Sequence, residues 1–174
     1  VVDPAKVSPA ARGYSPYAGR KYPARPRFGD THHHTWNWGD AVMAGNPGVR
    51  YAGFLVSTHF DTWQKMKLRP GLRSKRFTLN GIKAWADGSN QGLTGFQRSP
   101  YLGSQNRGAL NYTPKEIEAV IRQAHESGWQ IGVHANGDAA IDTVLDAFEQ
   151  VTGAGGAGKL RHRIEHCSLL DAGQ

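Results

Sequence analysis

A chain of 174 residues can bury one core, but a complete eight-stranded α/β barrel typically needs about 250 residues. With 39% apolar residues, 22 glycines and nine prolines, it reads as a loop-rich protein. No apolar run approaches the about 18 residues of a membrane span, Cys167 alone excludes an intrachain disulfide, and no apolar leader segment is visible, which together fit a cytoplasmic protein.

The net charge of +7 is concentrated in two stretches, residues 1–27 and residues 65–76. The first sets Lys6, Arg12, Arg20, Lys21, Arg25 and Arg27 against Asp3 alone, and the second has six basic residues and no acid. Such runs can attract polyanions, but a solvated arm and a solvated loop explain them as well. Nucleic acid is therefore not the expected partner.

Residues 1–27 also hold five of the nine prolines, which predicts an extended arm without regular structure. Residues 28–174 form the expected folded domain, and in it His32 and His34 stand two apart, on one side of an extended strand, with His33 on the other. Strands are predicted over residues 51–57 and 78–86, the second ended by the turn residues Asp87, Gly88 and Ser89. Residues 88–112, rich in Gly, Ser, Asn and Gln, form a loop of the length that often covers active sites. Tyr101, Gln91 and Arg107 are its candidates for lining a substrate pocket.

Thr113-Pro114-Lys115-Glu116 is a capping box with Pro at the first helical position. Ile117, Val120, Ile121 and Ala124 then recur at helical spacing up to Gly128. A strand follows over residues 129–134, then a turn at Asn136-Gly137 and a second helix with Asp138 as its expected N-cap. That helix buries Ile141, Val144, Leu145 and Phe148, and a last strand runs from Leu160 to Cys167. Cys167 follows from this as a buried, inert thiol. Alternating strands and helices imply an α/β fold with a parallel sheet, whose chemistry sits at the carboxyl ends of the strands. The Gly153–Gly158 run matches a dinucleotide fingerprint only in letters, because a helix precedes it and a strand follows it, the reverse of what nucleotide binding needs.

His134 and His166 end neighbouring predicted strands. Together with His32 and His34 they form a set of imidazoles that can converge on one ion, and zinc needs three or more such ligands with one position left for water. Lys83 stands inside an apolar strand, where a lysine must be paired, neutral or modified. Carbamylated, it would bridge two metal ions.

The segments Gly81–Ser89, Ser99–Tyr101, Val133–Ala140 and Arg161–His166 carry a further signal. Through them, residues 78–171 resemble the amidohydrolase superfamily, specifically its amidohydrolase-3 group of N-acyl and formamide hydrolases. Residues 14–40 are more similar to an uncharacterised metal-hydrolase-like group with a Gly-Asp-Thr-His-x-His-Thr signature, here Gly29–Thr35. The resemblance implies a partial, truncated TIM-barrel-like sheet. It makes His134 and His166 metal ligands, Lys83 the bridging residue and a small molecule the substrate. The expected chemistry is attack of a metal-activated water on an amide, ester or related carbonyl, with one or two divalent ions, most simply zinc. The resemblance also implies a final-strand aspartate that accepts a proton from the attacking water; the sequence stops at Gln174 before it, so Asp87, Asp138, Glu165, Asp61 or a second subunit would take that role. An open part-barrel also exposes strand edges, which implies a homo-oligomer that covers them. An inactive relative of these hydrolases and a polyanion-binding protein are the alternatives.

Overall fold

The computed structural model describes residues 51–73, 75–153 and 158–174. The expected arm over residues 1–27, and His32 and His34, lie outside them. The elements in chain order are β1 (Tyr51–Val56), α1 (Phe60–Lys65), β2 (Phe77–Trp85), α2 (Pro114–Glu126), β3 (Gln130–Ala135), α3 (Asp138–Thr152) and β4 (Arg163–His166). Among the described residues the four strands form one sheet, all parallel and in chain order. This is the expected α/β alternation, with α2 crossing from β2 to β3 and α3 from β3 to β4. No helix among the described residues is long and apolar enough to cross a membrane.

Register decides which side chains share a face. Ile82, Ala84, Ile131, Val133 and Ala135 are fully buried, and they pack with Ile117, Ile121, Ala124, Ile141 and Val144 of α2 and α3. Each large aliphatic side chain withdrawn this way contributes about 1.5–3 kcal/mol. The other face is polar. Lys83 pairs with Gly132, and Trp85, His134 and Glu165 stand side by side on β2, β3 and β4. Glycines open room on this face: a Cβ on Gly81 would lie 2.7 Å from the Phe54 ring, and one on Gly132 would lie 3.0 Å from Glu165. Across that space the Arg163 guanidinium sits 4.7 Å from the Phe54 ring centroid while its Nε donates to Glu165 at 2.6 Å.

The capping box of α2 forms as expected: Glu116 N–H donates to Thr113 Oγ1 at 3.3 Å and Thr113 N–H to Glu116 Oε2 at 2.7 Å. Past the end of α2, Gly128 takes φ +75°, a conformation that suits glycine. At α3 the expected N-cap Asp138 is instead the first helical residue, and Gly137 is the cap. The reason is the loop packed against this turn: the Asp138 carboxylate accepts from Arg98 N–H, Ala140 N–H donates to the Phe96 carbonyl at 3.2 Å, and Ile141 N–H donates to the Gly137 carbonyl at 2.9 Å.

Two further boundaries move. The last strand starts at Arg163 rather than Leu160, because Gly158–Leu160 form a 3-10 turn and Arg161 has φ +54°. It also ends at His166, so Cys167 lies beyond it and is half-buried, with burial and then Glu165 pushing its thiol pKa up. The short helix α1 has no periodicity to reveal it, since Phe60 is its one buried residue.

Candidate metal centre

The carboxyl ends of β1, β2 and β3 share an unusual property. Ser57 Oγ, Lys83 Nζ and His134 Nδ1 are each buried without a hydrogen-bond partner among the described residues. An unsatisfied buried polar group costs about 1–3 kcal/mol, and three on one rim mark a place built to hold something else.

Local bonding assigns the His134 tautomer. Nε2 lies 2.8 Å from the Gly88 carbonyl oxygen, 3.1 Å from Asn136 Nδ2 and 3.5 Å from Asp87 Oδ1, and the nearest of the three, the carbonyl, can only accept. Nε2 therefore carries the proton, which leaves Nδ1 with a bare lone pair. A metal-ligating histidine commonly donates its other nitrogen to a carbonyl or carboxylate, which fixes the ring and raises its basicity. Asn136 completes the brace: its Nδ2 donates to Gly88 O at 2.8 Å, and its Oδ1 accepts from Ser168 Oγ at 2.6 Å.

His166 turns toward this ring. Its φ is +76°, and the two imidazole centroids are 4.6 Å apart at 74°. Burial, then proximity to His134 and Lys83, holds the His166 pKa below its ordinary value. Lys83 is also lowered, by burial first and Arg163 further, against an opposing pull from Glu165. Burial pushes the Glu165 carboxyl up, but its hydrogen bond to Arg163, then the charges of Arg163, Lys83 and His166, hold it down.

Asp87 is 2% exposed, and both its oxygens are engaged. Oδ1 accepts from Asn136 N–H at 3.0 Å, and Oδ2 from Phe96 and Gly137 N–H at 2.9 Å each. It thus ties the loop after β2 to the turn after β3 and holds the Gly88 carbonyl against His134. Asp138 Oδ1 accepts from Arg98 and Ala139 N–H, both at 2.8 Å. Arg98 in turn grips Asp142 through Nε and Nη2 at 2.7 and 2.6 Å, and pairs with Asp171.

The long loop therefore lies pinned across the rim. Tyr101 donates to the Gly95 carbonyl at 2.7 Å and Arg107 Nε to the Gln97 carbonyl at 2.9 Å, so both hold the loop itself together. Gln91 is exposed, and Asp61 is exposed on the first turn of α1.

Lys83, Asp87, His134 and His166 thus meet at one end of the sheet. Among the described residues no three His, Cys, Asp or Glu side chains cluster closely enough to hold an ion by themselves. The donors present nevertheless fit a metal as part of a set: two imidazoles in contact, one with a buried free lone pair, and an unpartnered amine nearby. Ser57 and the Gly88 carbonyl had no signal in the sequence, because a lone serine or a backbone oxygen gains meaning only from what surrounds it.

The model of the amidohydrolase family matches residues 28–174. The chain belongs to that family. It is 34% identical over 127 residues to the protein LONG AFTER FAR-RED 3 of Arabidopsis thaliana, covering 72% of this chain and 22% of that protein. It is 30% identical to the putative amidohydrolase YtcJ of Bacillus subtilis (strain 168), covering 64% of this chain and 20% of the other. A solved structure of an uncharacterised metal-dependent hydrolase from Pyrococcus furiosus superposes with a TM-score of 0.66 at 28% identity, over 79% of this chain and 28% of that one. The sheet of this amidohydrolase-family chain is accordingly part of a TIM-barrel-like fold. The chain spans about a fifth of the length of these two curated relatives.

Proposed function

We propose that this chain forms the metal-holding wall of a metal-dependent hydrolase acting on an amide, ester or related carbonyl of a small molecule. The observation that carries the reading is the pair of touching imidazoles, His134 and His166, beside the unpartnered Nζ of Lys83. His134 Nδ1 and His166 would hold a divalent ion, most simply zinc. His32 and His34 would complete the set, and Lys83 as a carbamate would bridge to a second ion. When bound, the ion lowers the pKa of water to about 7 and polarises the carbonyl under attack.

The chain's own residues supply the rest. The Gly88 carbonyl and Asp87 keep the proton on Nε2 of His134, so that Nδ1 faces the site. Burial favours the neutral amine of Lys83, the form that reacts with carbon dioxide. Of the two aspartates proposed for proton transfer, Asp87 lies within this wall, while Asp138 faces Arg98 at its edge. A homo-oligomer covering the edges of the sheet belongs to the same proposal, and a mass measurement in solution tests it.

Elemental analysis of the purified protein is the first test, followed by hydrolysis of N-acyl and ester substrates with and without chelator. Bound zinc that drops sharply in His134→Ala and His166→Ala, with activity following it, supports the reading. Zinc content no higher in the wild type than in the His134→Ala, His166→Ala double variant removes it.

A further inference from the structure

At the other end of the sheet, away from the candidate metal centre, lies a cavity of about 570 Å³. It opens between the turn that leaves α1 and the turn that enters β3, and Gln64, Lys67, Leu68, Arg69, Ser127 and Trp129 line it. Its size falls in the range of about 300–1,000 Å³ typical of small-molecule sites. We propose that this cavity binds a small phosphomonoester with a flat apolar body.

Charge is the first argument. Arg98, Arg122 and Arg163 each hold a carboxylate. Lys67 and Arg69 have none among the described residues, and the run from Lys65 to Arg76 that carries them contains no acid at all. Two unneutralised cations at one mouth suit a dianion, because phosphate oxygens can accept from both at once.

The second argument is the floor, whose accessible apolar surface comes from half-buried Leu68, packed against the core that encloses Trp129, and from exposed Pro70 beside it. An apolar group entering here loses water against a surface that is already ordered. Gln64 and Ser127 add neutral polar groups at the mouth. The third argument is rigidity. The turn bearing both cations is pinned by Lys67 N–H to Gln64 O at 2.8 Å, Leu68 N–H to Trp63 O at 3.1 Å and Gly71 N–H to Leu79 O at 2.9 Å. A charged pair on fixed backbone gives up less entropy on binding than one on a mobile loop.

The test is titration calorimetry of the whole chain at low salt with phenyl phosphate, and with inorganic phosphate and phenol as controls. Phenyl phosphate should saturate one site per chain, more tightly than phosphate, while phenol should not bind. The Lys67→Gln, Arg69→Gln double variant changes only exposed side chains, so its melting temperature should hold, while its affinity falls by about tenfold or more. His134→Ala should leave binding intact, which separates this site from the metal centre. Four results would overturn the proposal: no saturable heat, full affinity in the double variant, loss of binding in His134→Ala, or binding only of oligonucleotides with an affinity that grows with their length.

Discussion

Replacing Asp87 with asparagine separates an anchor from a proton carrier. Its carboxylate is buried and accepts three backbone N–H groups, from Phe96, Asn136 and Gly137, at 2.9 to 3.0 Å. Asparagine keeps one acceptor oxygen, so its amide NH2 must face at least one of those donors. A hydrogen bond to a charged group contributes about 1.5–3 kcal/mol, and an orphaned buried donor costs about 1–3 kcal/mol. Losing the charge and orphaning one donor should together cost about 3–5 kcal/mol. A domain has about 5–15 kcal/mol in total. At about 2–4 °C per kcal/mol for a chain of this size, the melting temperature should fall by roughly 6–20 °C. Thermal unfolding by circular dichroism measures this, and hydrogen exchange at the Phe96 and Gly137 amides reports the same anchor locally. An unchanged melting temperature with full exchange protection, alongside lost hydrolysis, would refute the reasoning and leave Asp87 a purely chemical role.

Three other outcomes follow from the same geometry. Lys83→Met removes a buried amine that has no hydrogen-bond partner among the described residues and only the Trp85 ring, 5.9 Å away, as a cation–π neighbour, so it should raise the melting temperature of the metal-free protein and lower the metal content of the loaded one; a fall in stability would show that the ring contact outweighs the desolvation cost. Gly137→Ala should cost more than about 2 kcal/mol because its Cβ meets the Phe96 backbone, whereas Gly128→Ala, with open space around it and only its φ of +75° to oppose it, should cost about 1 kcal/mol; denaturant titration of both variants checks the order. His162 accepts from Ile131 N–H through Nδ1 at 3.2 Å, so Nε2 carries its proton and donates to His125 Nδ1 at 2.8 Å. Burial, then proximity to His125, lowers its pKa below the ordinary 6.5. The unfolded chain thus takes up this proton before the folded one. The resulting stability is complete above pH 6.5 and is lost as the pH falls from there toward the folded pKa. Melting temperatures between about pH 7.5 and about pH 5.5 should fall less steeply in His162→Phe than in the wild type.

Much of the fold was legible because its signals are local. Thr113, Pro114 and Glu116 announce the start of α2 through groups at most three residues apart. The spacing of Ile117, Ile121 and Ala124 reports a face that is indeed buried. The start of β4 was less legible, because Leu160 reads as strand until Arg161 takes a left-handed φ that pattern alone does not reveal. Gly137 displaced Asp138 as the cap for a similar reason: the partners that decide it, the Phe96 carbonyl and the Arg98 N–H, lie about forty residues earlier in the chain.

The sequence by itself determined which elements form and in what order, since propensity, capping and hydrophobic period act over a few residues. It also marked His134, His166 and Lys83 through the family motifs they stand in. Tertiary structure alone decided that the two rings touch, that Gly88 holds His134 in the tautomer that bares Nδ1, and that Asp87 bonds three amides from two separate loops. Those outcomes depend on strand register and on backbone atoms brought together from some fifty residues apart, and no local pattern of side chains encodes them.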